Sequence, residues 1–72
     1  MKTFKVLKMR AHSLLMEAPN GQRAYAGKRV ANELLSNPET DWIIQEADIT
    51  DHDTDSPNFG KKELWFATFS RW

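Results

Sequence analysis

The alternation of apolar and polar residues along this chain predicts three strands and one helix. Residues 3–9, 41–49 and 63–70 follow a period of two, which is typical of strands. Residues 23–36 instead place apolar side chains three and four positions apart, which is the stripe of an amphipathic helix. That stripe consists of Gly27, Val30, Ala31, Leu34 and Leu35. We expect the helix to end at Asn37, because the residue before a proline avoids helical backbone angles.

Residues 11–18 fit either a short helix or a further strand. They contain good helix formers, but they are too few to decide the matter. Residues 19–21, Pro-Asn-Gly, then predict a turn, because Asn and Gly tolerate positive φ angles. Residues 1–72 are therefore expected to form a single α+β domain. One main amphipathic helix would pack on a three- or four-stranded, mostly antiparallel sheet.

The last predicted strand is apolar on both faces. Residues 61–72 hold four of the eight aromatic residues of the chain. Strand alternation puts Leu64 and Phe66 on one face, and Trp65 and Phe69 on the other. We expect Leu64 and Phe66 to pack under the helix. Trp65 and Phe69 would then face a partner or the far side of the sheet.

The charges of the chain are unevenly distributed, although they sum to zero. Residues 1–36 carry seven Lys or Arg and two acids, whereas residues 37–60 carry seven acids and no Lys or Arg. Residues 61–72 add a net charge of +2. A general basic field that would attract nucleic acid is therefore absent. The chain is bipolar instead, and each end could meet a partner of opposite charge.

The acidic run Asp51-x-Asp53-x-Asp55 begins like a calcium-binding EF-hand loop. Such a loop needs Gly at its sixth position and Glu at its twelfth, where this chain has Ser56 and Lys62. The pattern therefore favours a solvated acidic loop over a calcium site.

The other residue types that carry chemistry do not form a site pattern. There is no cysteine, and the two histidines, His12 and His52, lack the spacing of metal ligands. The three glycines are scattered, and no serine lies in a nucleophile elbow. A chain of this length also leaves little room for a substrate pocket. We expect no enzymatic activity, no metal and no cofactor.

No apolar stretch approaches the roughly 20 residues that would cross a bilayer. The absence of cysteine is consistent with a reducing compartment. The sequence therefore predicts a cytoplasmic monomer.

Basic and aromatic residues on the first and last strands are candidates for partner binding. They are Lys5, Lys8 and Arg10, with Trp65 and Phe69. Aromatic anchors beside an Arg are typical of protein-binding hot spots. The same combination on a sheet also binds single-stranded nucleic acid, which is one alternative. Another alternative is an inhibitor that acts on its target protein through the acidic segment 39–55. The aromatics could instead belong to the sheet core, and the basic residues to a solvated face.

Residues 1–10, 23–36 and 64–72 resemble the small transcription regulators that lytic phages make early in infection of plant-pathogenic bacteria. The resemblance extends over essentially the whole chain, without a diagnostic motif. It implies a protein that binds the host RNA polymerase near the N-terminus of the β′ subunit. It also implies that the protein inhibits initiation by weakening the binding of σ factor to core enzyme. A further implied effect is antitermination on phage transcripts.

Overall fold

The fold of residues 3–69 is described from a computed structural model. Five strands and one helix follow one another as β1 (Lys5–Met9), β2 (Ser13–Glu17), β3 (Arg23–Gly27), α1 (Lys28–Ser36), β4 (Trp42–Thr50) and β5 (Lys62–Thr68). The strands form one sheet in the order β1-β2-β3-β5-β4. The prediction of an α+β domain is confirmed.

The sheet is larger than predicted, and it is mixed. β3 and β5 run parallel, whereas the other neighbouring strands run antiparallel. The prediction of a three- or four-stranded, mostly antiparallel sheet was wrong in both respects. The reason is that β5 returns after the acidic loop and inserts between β3 and β4, which makes β4 an edge strand.

The helix begins at Lys28, later than the predicted start at Arg23. Residues 23–27 form β3, in which Ala24 and Ala26 are buried on the helix side. The turn after β2 holds this strand in place: Gly21 has φ +88°, and its N–H donates to the carbonyl of Ala18 at 2.9 Å. Antiparallel pairing with β2 thus prevails over the helix propensity of alanine. The partner strand β2 lies within residues 11–18, for which the sequence allowed either a short helix or a strand. The structure shows that the strand alternative is correct.

The main core lies between α1 and the sheet. Met16, Ala24, Ala26, Ala31, Leu34 and Phe66 are buried there, and Leu64 packs against them. Phe66 meets Phe4 and Trp42 edge to face, with ring centroids 5.9 Å and 5.1 Å apart. The prediction that Leu64 and Phe66 pack under the helix is confirmed. Trp65 points to the opposite face, as expected from strand alternation.

Candidate functional site

The face of the sheet opposite α1 carries a row of paired residues that crosses all five strands. From β1 to β4 the row runs Lys8, Leu15, Tyr25, Trp65 and Gln45. Directly paired residues project to the same side of a sheet, so these side chains share one face. The face divides into two parts. We call the part around Tyr25 the covered half, and the part along β4 and the end of β5 the open half.

The loop at residues 51–61 folds over the covered half. Its first residue, Asp51, is fully buried and accepts hydrogen bonds from the Ser56 hydroxyl and from the N–H of Asp53. The backbone N–H of Asp51 also donates to the carbonyl of Lys61 at 2.7 Å, which closes the loop. The prediction of a solvated acidic loop was therefore wrong for Asp51, whereas Asp55 is exposed as such a loop requires. A buried carboxylate needs such donors to compensate for the loss of its hydration.

Lys8 and Tyr25 hold the loop onto the sheet through Asp53. The Lys8 ammonium lies 2.6 Å from Asp53 and 3.3 Å from Asp55, and the Tyr25 hydroxyl donates to Asp53 at 2.8 Å. The Lys8 hydrogen bond lowers the pKa of Asp53 to about 2, and the same bond raises the pKa of Lys8. Burial raises the pKa of Tyr25 to about 12. Asp53 is thus held as the carboxylate, while Lys8 and Tyr25 stay protonated. These are the protonation states in which the three groups form the contacts that hold the loop.

A second set of contacts continues the covered half towards β5. The Arg10 guanidinium lies 4.2 Å from the centre of the Tyr25 ring and 3.2 Å from the carboxylate of Glu63. The indole N–H of Trp65 donates to the same carboxylate at 2.9 Å. Glu63 is buried, and these two donors compensate its charge. Among the described residues, every buried side-chain nitrogen or oxygen has a hydrogen-bond partner. The covered half is therefore a saturated polar network.

The structure brings together only some of the residues predicted to bind a partner. Lys8, Arg10 and Trp65 meet around Tyr25, where carboxylates of the same chain already engage the two cations. Lys5 is exposed on β1, and Phe69 is 56% exposed beyond the end of β5. A nucleic-acid phosphate would have to displace Asp53 or Glu63 to reach Lys8 or Arg10. The geometry thus weakens the nucleic-acid alternative.

Apart from Trp65, the open half is lined by residues that the sequence did not single out as a site. A groove of about 480 Å³ runs along β4 and β5. Its lining is mainly apolar and includes Ala47, Ile49, Trp65 and Ala67, with Gln45, Glu46 and Phe66. The groove also reaches Gly27 and Val30 at the start of α1. Ile43 and Ile49 on β4 are 44% and 57% exposed. The two-residue period of the sequence is consistent with Ile43, Ala47 and Ile49 on one face of β4. Only the strand order reveals that this apolar face lies at a sheet edge.

Metal binding gains no support from the acidic residues. Within residues 3–69, no group of three or more histidine and acidic side chains is arranged to hold a metal ion. Asp51 and Asp53 are instead occupied by Ser56, Tyr25 and Lys8. Both histidines are exposed.

Comparison with protein-family models, curated proteins and solved structures finds no match for this chain. Function must therefore be inferred from the residues and their geometry. Within the described part of the chain, no helix has the length and apolar character needed to cross a membrane.

Proposed function

We propose that this chain is a non-enzymatic phage regulator that binds the RNA polymerase of its bacterial host and acts in the host cytoplasm. The identity of the partner comes from the sequence resemblance of residues 1–10, 23–36 and 64–72. The proposed contact is near the N-terminus of the β′ subunit. Binding there would inhibit σ-dependent initiation and allow antitermination.

The exposed apolar surface of the open half is the observation that supports a protein-binding role. Ile43, Ile49 and Phe69 are each about half exposed. Ile49 lines the groove beside Trp65, and Ile43 pairs with Ala67, which also lines it. Partly exposed aromatic and aliphatic side chains around a shallow groove are typical of binding hot spots. The two cations of the covered half, by contrast, are already paired with carboxylates of the same chain. Within the predicted set, Trp65 and Phe69 are therefore better candidates for contact than Lys8 and Arg10.

A regulator of this size would act by changing the balance between two states of the polymerase. A standard interface buries about 800 Å² on each partner, which a small domain can supply. Preferential binding to core enzyme would lower the apparent affinity of σ, because the two binding free energies are linked. The chain needs no catalytic group for this effect.

Capture of RNA polymerase from bacterial lysate by the intact protein tests this proposal. We expect polymerase subunits to be recovered, and Ile43→Ala to reduce their affinity about tenfold if Ile43 is a hot spot. Leu35→Ala is the matched control, because Leu35 is also 44% exposed but lies on α1 and not on β4. Failure to recover polymerase would contradict the partner. Equal losses in the two variants would contradict the surface.

A gel shift with DNA and RNA separates this proposal from the nucleic-acid alternative. A nucleic-acid binder would shift either probe, with an affinity that falls steeply as salt rises. We expect no shift at salt concentrations at which polymerase is captured. A salt-dependent shift that Lys8→Ala abolishes would favour the alternative.

A further inference from the structure

The outer edge of β4 is a row of backbone groups without a strand beside it. Among the described strands, β4 pairs with β5 alone. The N–H of Phe69 donates to the carbonyl of Asp41 at 2.9 Å, which fixes the phase of the β4–β5 ladder. In an antiparallel ladder, hydrogen-bonded and non-hydrogen-bonded pairs alternate. Ile43 and Gln45 therefore direct their backbone groups to β5, as Asp41 does.

The residues between them direct their backbone groups the other way. These residues are Trp42, Ile44 and Glu46, whose N–H and C=O groups point to the open edge. Pairing with β5 is regular from Trp42 to Glu46 and shifts only between Glu46 and Thr50. The edge thus offers a regular ladder at alternate positions, which is the arrangement that an added strand requires.

The charge along this edge determines which charge an added strand should carry. Glu46 and Asp48 are exposed and form no ion pair within the described chain. No Lys or Arg occurs between residues 37 and 60. The loop carboxylates of Asp53 and Asp55, by contrast, are held by Lys8. An acidic partner segment would be repelled at the edge, whereas Lys or Arg side chains would be attracted.

Apolar surface lies on one side of the same edge. Ile43 is 44% exposed, and the groove lined by Ala47 and Trp65 begins beside it. Side chains of an added strand alternate between the two sides of the sheet. On the side of Ile43 they would cover apolar surface, and on the side of Glu46 they would meet a carboxylate.

We infer that the β4 edge binds an extended, basic segment of a partner protein as an added strand. Lys or Arg side chains of the segment pair with Glu46 and Asp48, and its apolar side chains pack over Ile43. This inference rests on the proposed protein-binding function and adds the surface and the chemistry of the segment. The competing explanation is that the carboxylates only protect the edge against aggregation.

A short capped peptide in which Lys and Val alternate is the probe, titrated into the intact isotope-labelled protein. The matched control is the same peptide with Glu in place of Lys. We expect saturable amide shifts from Trp42 to Glu46 and at least about tenfold tighter binding of the Lys peptide at low salt. Equal affinities, or no shift at β4, would overturn the inference and leave edge protection as the explanation.

Two substitutions at one position separate backbone pairing from charge. Glu46→Gln removes the charge and keeps the outward N–H, so binding should weaken about threefold, as for an exposed ion pair. Glu46→Pro also removes that N–H and leaves the hydrogen bonds to β5 intact, as proline does on edge strands. We expect it to weaken binding at least about tenfold. Equal affinities of the two variants would overturn strand addition.

Hydrogen exchange at Ile43 and Gln45 reports whether Glu46→Pro keeps the β4–β5 ladder. If that protection is lost, a Lys–Val peptide methylated at alternate backbone nitrogens replaces the variant. On the unaltered protein, methylation along one edge of the peptide should abolish binding, and unchanged affinity would overturn strand addition.

The peptide titration does not involve polymerase, so the two proposals can fail separately. If the Lys peptide binds β4 while polymerase is not captured, this inference stands and the partner is wrong. If polymerase is captured while neither peptide shifts β4, this inference is overturned and the partner stands.

Discussion

The two halves of the sheet face opposite α1 differ in whether their side chains have partners within the chain. In the covered half, Lys8, Arg10 and Tyr25 are engaged by carboxylates from the loop and from β5. In the open half, Ile43 and Ile49 lie exposed beside a groove. One surface is therefore completed by contacts within the chain, whereas the other keeps apolar side chains exposed. Charged residues that look like a binding site in the sequence can serve the fold instead.

Asp51→Ala should have the largest effect, because it removes the anchor of the covered half. The substitution leaves the Ser56 hydroxyl and the N–H of Asp53 without their acceptor. We expect a loss of about 3 kcal/mol in the free energy of unfolding, measured by urea denaturation. The loss would be most of the stability of so small a domain.

Asp48→Ala is the control for that measurement, because Asp48 is an exposed acid on β4. Its effect should stay within about 0.5 kcal/mol. A small loss at both positions would mean that the loop does not depend on its buried carboxylate, and the distinction between the halves would fail.

Acidification should weaken the same half. The pKa of Asp53 is lowered to about 2 by its hydrogen bond with Lys8, whereas an aspartate in an unfolded chain has a pKa of about 3.9. The resulting stabilisation is present above about pH 4 and is lost as the pH falls towards 2. The urea midpoint should decline over that window. Asp53→Asn should have a lower midpoint at neutral pH and a flatter decline. An unchanged pH profile in the variant would show that Asp53 does not carry the effect.

Trp65→Phe tests the residue that joins the two halves. The substitution keeps an aromatic ring and removes the indole N–H that donates to buried Glu63. We expect a loss of about 1–2 kcal/mol from the missing hydrogen bond to a charged group. Trp42→Phe is the control, because Trp42 contributes ring packing to the core. If the two variants are equally stable, the N–H of Trp65 contributes nothing measurable.

Local patterns predicted three of the five strands and part of the helix, but they did not predict which strands pair with one another. The periods of residues 3–9, 41–49 and 63–70 gave β1, β4 and most of β5, with residue 70 outside the described range. Residues 23–27 were assigned to the helix although its apolar stripe begins only at Gly27. Nothing in their composition reveals a strand partner 10 residues earlier.

The contacts that Lys8 makes within the chain could not be predicted, for a related reason. The sequence marks Lys8 and Asp53 as opposite charges 45 positions apart, and only the folded chain brings them to 2.6 Å. The burial of Asp51 likewise depends on β5 lying between β3 and β4. Strand alternation alone predicted that Trp65 and Phe69 lie on the face away from the helix. Their role in binding stays a prediction.

Two glycine substitutions give the smallest expected effects, and they compare the start of α1, beside the groove, with the turn between β2 and β3. Gly27 precedes α1 without a side-chain cap, and a Cβ atom there would meet no atom within 4 Å. Gly27→Ser should stabilise the fold by about 0.5 kcal/mol, because a serine hydroxyl can cap the helix. Gly21→Ser has as much space but a φ of +88°, so it should cost about 1 kcal/mol. Thermal unfolding of both variants measures the difference. Destabilisation by Gly27→Ser would show that the backbone at the edge of the groove needs glycine for a reason other than helix capping.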